Sequence, residues 1–218
     1  PDQQGWFPDE TVTVALGQGF NTFTMLHLAL AEATLANGGT HHKPHLARAI
    51  KNTVTGEVTL IEQPAGENLG FKPKNVEVVR NALMAVNKGG TGTRVFAGAT
   101  YTSAGKTGTA QAVSLGRNVR YNAAALAEHQ RDHSLFAAFA PAEDPKIAVA
   151  VIVENAGFGA AHAAPIVRRV FDYWLADQYP NEQDMAAVRV GKASAPIGKP
   201  LVASEVANPT PDSAAAAP

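Results

Sequence analysis

The chain has 218 residues, 45% of them hydrophobic, which suits one large domain or one domain with a tail. A formal net charge of −1 offers neither a basic surface for nucleic acid nor a polybasic membrane patch. The lack of cysteine excludes disulfides, thiolate chemistry and cysteine-ligated metals.

The longest apolar run, residues 147–153, is strand-sized and far short of a membrane span. The chain opens at Pro1 without a methionine or a signal peptide. It is read as a processed or excised piece, with any export signal upstream.

Residues 6–11 read as a turn, and residues 11–16 alternate like a short strand broken by Gly17-Gln18-Gly19. Asn21 and Thr22 are the N-cap candidates for a helix over residues 23–36. That helix is apolar on both faces, so it is expected to be buried on most sides. Asn37-Gly38-Gly39 stops it. His41, His42 and His45 invite a metal reading, but Pro44 interrupts helical spacing and no carboxylate is near, so a solvent-facing connection is expected. Residues 46–61 predict a β-hairpin turning at Thr55-Gly56-Glu57. Val76, Val79, Leu83 and Val86 predict a second helix over 73–87. Gly89-Gly90-Thr91-Gly92-Thr93 could cradle an anion, but no strand precedes it as a nucleotide fold requires, so it reads mainly as a turn.

The chain is organised around Gly105-Lys106-Thr107-Gly108-Thr109-Ala110-Gln111. If extended, this stretch sends Lys106 and Gly108 to one face and Thr107 and Thr109 to the other. A strand edge beside a glycine can take an extended peptide, and an ammonium with two hydroxyls can hold a carboxylate. Gly105-Lys106-Thr107 also looks like the tail of a phosphate-binding loop, but Thr100 stands where that loop needs glycine.

Ala123 to Glu128 allows a short helical turn. The adjacent pair Asp132-His133 is poorly placed for a catalytic dyad, because neighbours on an extended chain face opposite ways. Residues 134–140 and 146–153 are two apolar strands. At most six residues join them, so they pair antiparallel. The second is apolar throughout, as expected of a strand covered on both faces. A helix over 161–179 carries a stripe of Ile166, Val170, Phe171, Trp174 and Leu175. Residues 181–218 read as an Ala/Pro-rich disordered tail after a domain over 1–180.

Lys106-Thr107-Gly108-Thr109-Ala110-Gln111, two apolar strands and a closing helix together resemble the transpeptidase domain of class B penicillin-binding proteins. Trp6-Phe7-Pro8 through Gly17-Gln18-Gly19 resembles the approach to its helix. Tyr121-Asn122, Glu128 and Arg131-Asp132-His133 resemble an insertion of the cell-elongation branch, penicillin-binding protein 2. Phe139-Ala140-Pro141, Glu154-Asn155 and Gly157 continue the match, which covers roughly residues 6–179.

The resemblance implies an α+β fold, with an antiparallel sheet sandwiched between helices and present here only in part. It implies a peptidoglycan D,D-transpeptidase that cross-links stem peptides through a serine acyl-enzyme and is trapped by β-lactams. Lys106 and Thr109 would be the catalytic residues, and Thr107, Gly108 and Thr109 the substrate-binding ones. Lys106 would supply positive charge and handle proton traffic. Thr107 and Thr109 would bind the terminal carboxylate, and the Thr109 N–H would form half the oxyanion hole. No metal or cofactor is implied. The implied partners are stem peptides, β-lactams, the upstream part of the same polypeptide and membrane proteins of an elongation complex. The implied location is the bacterial inner membrane, with a periplasmic catalytic domain.

The family also needs Ser-x-x-Lys and Ser-x-Asn. No Ser-x-Asn occurs, and the only Ser-x-x-Lys, Ser103 to Lys106, overlaps the strand motif and lacks the helix that such a pair requires. Met25 and His27 stand where relatives often have proline and glutamine. The chain is therefore expected to supply the substrate strand without the nucleophile, and to need the upstream segment to fold as a stable monomer. A serine β-lactamase, a D,D-carboxypeptidase and a non-catalytic binding module of the same fold are the alternatives.

Overall fold

A computed structural model describes residues 5–18, 21–113 and 121–206. Gly19, the polar segment 114–120 and the last residues of the tail, 207–218, lie outside the described residues.

The chain begins with helix α1 (Pro8–Ala15), not with the expected turn and strand. Pro8 at the first helical position and the Glu10 carboxylate, which accepts from the Phe7 N–H at 2.9 Å, start the helix. These local signals override the alternating pattern of residues 11–16. Helix α2 (Met25–Ala36) follows, capped by Thr24, whose hydroxyl accepts from the His27 N–H at 3.2 Å. Asn21 is not that cap. Its side chain donates to the Val14 and Gln18 carbonyls and closes the turn after α1.

Strand β1 (Thr40–His41) pairs with β4 (Glu67–Asn68). The expected hairpin is formed by β2 (Ala49–Lys51) and β3 (Val58–Leu60), paired antiparallel. Helix α3 (Pro73–Gly89) and the short α4 (Thr93–Phe96) lead to the main sheet. Its strands are β5 (Ala104–Ala110), β6 (His133–Ala140) and β7 (Ile147–Val153), in the order β5-β6-β7 and all antiparallel. Helix α5 (Ala163–Ala176) closes the expected domain.

The sheet lies between two helical layers. On one face, Phe136, Ala138 and Ala140 of β6 pack with Val95, Phe96, Ala163, Ala164, Val167 and Phe171. The rings of Phe96 and Phe136 are 5.9 Å apart, and Phe171 meets Tyr101 edge-on at 6.1 Å. On the other face, Phe139 and Ala104 pack with Ala36, Leu83 and Met84 of α2 and α3. The period-2 alternation of β6 thus feeds two cores at once.

Three expectations of burial are revised. Strand β7 has α2 and α5 on its two faces but is only half-buried along its length, because it is an edge strand among the described residues. Helix α2 buries only Thr34 and Ala36 as whole residues, although the Glu32 Oε2 is also shut off from solvent, and Leu26 is 60% exposed. Its C-terminal end reaches the sheet, while its outer face meets no second layer among the described residues. In α5 the buried positions include Val167, Phe171 and the charged Arg168, Arg169 and Asp172, while Trp174 is exposed. A buried ion pair turns that helix away from the simple apolar stripe.

Within the segment expected to be a disordered tail, the described residues 181–206 carry regular structure. Helix α6 (Glu182–Arg189) is capped by Asn181, and Tyr179 pairs with Leu201. The segment is held by Asp184, 1% exposed, which takes Arg169 of α5 through two bonds of 2.6 and 3.0 Å. Composition counts apolar residues, so it misses an anchor made of a desolvated bidentate ion pair.

Candidate active-site strand

Strand β5 carries the motif at an edge of the sheet. The expected alternation is present: Lys106 and Gly108 stand opposite Ala137 and Leu135, and Thr107 and Thr109 opposite Phe136 and Ser134. The strand is fixed from several sides. Arg168 donates to the Val95 and Ala97 carbonyls at 2.9 and 3.0 Å and holds Asp172 at 2.8 Å. Tyr101, three residues before β5, donates to the same carboxylate at 2.7 Å. Burial and the Asp172 charge push the Tyr101 phenol up, so it stays a donor. The approach to β5 is therefore pinned to α5.

The close approach beside Gly108 is made by the Gly159 backbone, whereas a Cβ on Gly108 itself would meet the Leu135 Cβ at 3.2 Å. A Cβ on Gly159 would lie 2.1 Å from the Leu135 carbonyl oxygen and 2.8 Å from that of Gly108. Only a glycine at 159 lets the loop before α5 lie against β5 and β6. Ser134, fully buried, holds that loop: its hydroxyl donates to the Phe158 carbonyl and accepts from the Ala163 N–H, both at 3.1 Å.

The side chains of Lys106 and Thr107 meet at the open edge. Lys106 is exposed, and its Nζ lies 3.0 Å from the Thr107 carbonyl and 3.4 Å from the Thr107 hydroxyl. The Thr107 hydroxyl also lies 3.2 Å from that of Thr91, in the glycine-rich turn after α3. The Thr109 carbonyl accepts from the Gln18 side chain at 3.3 Å. That Thr91 and Gln18 meet the motif is not readable from the sequence, since 16 and 91 residues separate them from their partners. One ammonium and two hydroxyls at one strand edge can bind an anion, most simply a carboxylate.

The rejected serine motif is structural. Ser103 is 6% exposed, and its hydroxyl accepts from the Asn87 side chain at 2.8 Å. Asp132 and His133 form no dyad. The Asp132 N–H donates to the Tyr121 hydroxyl at 3.0 Å, and His133 Nδ1 accepts from the Asn155 N–H at 3.0 Å. Among the described residues no group of His, Asp and Glu could hold a metal ion, and no helix is long and apolar enough to cross a membrane.

The family described as the penicillin-binding protein transpeptidase domain matches residues 2–172. The chain belongs to that family. Among curated relatives of this transpeptidase domain is the peptidoglycan D,D-transpeptidase MrdA of Haemophilus influenzae, 40% identical over 185 residues. The match takes 80% of this chain but 27% of the relative, so the chain spans about a quarter of that protein's length. Pseudomonas aeruginosa PBP2 in complex with WCK 5153 is similar in structure, with a TM-score of 0.63 and 37% identity over 80% of this chain and 34% of that one. PBP2 of Helicobacter pylori, solved in complex with MreC, superposes with a TM-score of 0.54 at 27% identity over 71% of this chain and 25% of that one. The α+β architecture expected of the family, an antiparallel sheet between helices and present in part, is the one observed.

Proposed function

We propose that these residues form the carboxylate-binding half of a serine-type peptidoglycan D,D-transpeptidase that serves cell elongation. The observation that carries this reading is the gathering of Lys106 Nζ and the Thr107 hydroxyl at the exposed edge of β5, within a transpeptidase-domain match. The donor stem peptide lies along that edge. Lys106, Thr107 and Thr109 bind the carboxylate of its last D-alanine, and Gly108 keeps the path clear. A serine from polypeptide outside these 218 residues adds to the penultimate carbonyl. The Thr109 N–H donates one of the two hydrogen bonds that stabilise the oxyanion formed there, and the N–H of the serine itself donates the other. The C–N bond breaks, D-alanine leaves with a proton, and the acyl group stays on the serine. The amine of a second stem peptide then displaces the serine and makes the cross-link.

The reading extends to the setting of the protein. A membrane anchor outside these residues would hold the catalytic domain in the periplasm. The partners would be stem peptides, β-lactams, the upstream part of the polypeptide and a membrane protein of the MreC kind. MreC is the partner in the Helicobacter pylori complex.

Benzylpenicillin tests the reaction class. A stoichiometric adduct that persists for many minutes on the intact protein is expected of a transpeptidase. Continuous penicillin hydrolysis would make it a β-lactamase. No adduct would leave a binding module.

A further inference from the structure

The turn between α3 and α4 is more firmly built than a surface linker needs to be. Asn87, 6% exposed, ties the end of α3 to Ser103, the residue before β5. Gly92 is packed so closely on Asn87 that a Cβ there would lie 2.3 Å from its side-chain oxygen. The Gly92 N–H reaches the Val86 carbonyl at 3.0 Å, and the Thr93 hydroxyl bonds back to Gly90 at 2.8 Å. The residue presented by this clamp is Thr91. Its side chain is exposed, and among the described residues its hydroxyl bonds to Thr107 and to nothing else.

We infer that Thr91 is a positioning residue for the carboxylate end of the substrate, acting through the Thr107 hydroxyl. This rests on the transpeptidase reading above. A threonine hydroxyl has one proton to give and two lone pairs. Lys106 Nζ can only donate, and a bound carboxylate can only accept. When Thr91 donates its proton to Thr107, the Thr107 proton is left to point at the ligand. Lys106 adds a second donor to the same oxygen, at 3.4 Å. The ligand class is an acyl compound with a free carboxylate beside the bond to be cleaved. The clamp fixes the height of Thr91 against β5, so the relay does not depend on a mobile side chain.

The test measures acylation rate constants of the intact protein with benzylpenicillin and with its methyl ester, whose carboxylate is blocked. Thr91→Val keeps the shape and removes the hydroxyl. It should slow acylation by benzylpenicillin about fivefold, the loss of one neutral hydrogen bond. It should change acylation by the methyl ester less than about twofold, and Thr91→Ser should restore the benzylpenicillin rate to within about twofold of the native protein. Equal loss with both compounds would mean a purely structural role and overturn the inference. So would no loss at all, or a Thr91→Ser protein as slow as Thr91→Val. A native protein that benzylpenicillin does not acylate would sink the transpeptidase reading itself, and that result is distinct from the other three.

Discussion

Two regions of this chain have similar apolar content and very different burial. Around β6 and α5, Phe136, Val167 and Phe171 are 1%, 0% and 0% exposed. Across α2 and the β2–β3 hairpin, Leu26, Ile50 and Leu46 are 60%, 64% and 106% exposed. The first region is packed between layers, while the outer face of α2 and the hairpin meet no further layer among the described residues. A groove of 660 Å³ lined by Phe23, Leu28, Ala31 and Phe71 runs beside α2 on the poorly covered side. Apolar pattern alone says that a face wants cover; only the packed neighbour decides whether it gets it.

The sharpest way to break this comparison is a pair of truncations in the intact protein. Phe171→Ala should cost about 3–5 kcal/mol, since it opens a cavity among Phe96, Tyr101 and Val167. Leu46→Ala should stay within about 0.5 kcal/mol. Denaturant unfolding of both variants checks this, and similar losses would mean that the exposed face is covered in the intact protein.

A smaller effect is expected at Glu32, midway along α2. Burial pushes its carboxyl from the usual 4.5 up to about 7, and its Oε2 has no hydrogen-bond partner among the described residues. The folded state thus holds this proton more tightly than the unfolded state does. That contribution is fully present below pH 4.5 and fades as the pH rises to about 7. Glu32→Gln should stabilise the protein by about 1–3 kcal/mol at pH 8 and by little near pH 4.5. Melting curves at the two pH values check it, and a shift of equal size at both would contradict the buried, unpartnered carboxyl.

The same contrast explains what was legible in the sequence. The antiparallel β6–β7 pair, the hairpin, α3 and the alternation of Lys106 to Thr109 follow from period and loop length, which are local. Helix α1 was hidden by an alternating run, although Pro8 and Glu10 carry a helix-start signal. The ordered 181–206 segment was not legible, because one ion pair between Arg169 and Asp184 substitutes for a run of apolar residues. At the site, Lys106, Thr107, Gly108 and Thr109 are legible as a motif. Thr91 and Gln18 are not, since only the fold brings them to β5. The roles given to the motif residues rest on the proposed function, and acylation kinetics tests them.

The central claim is that β5 supplies the positive, carboxylate-binding half of an acyl-transfer site. The most direct measurement is intact-protein mass spectrometry after timed exposure to benzylpenicillin, for the native protein and for Lys106→Ala. The account predicts one penicillin mass added to the native protein, and acylation slowed by at least about a hundredfold in Lys106→Ala, the range for removing a group that handles protons in the transition state. An adduct that forms equally fast on both proteins would contradict it.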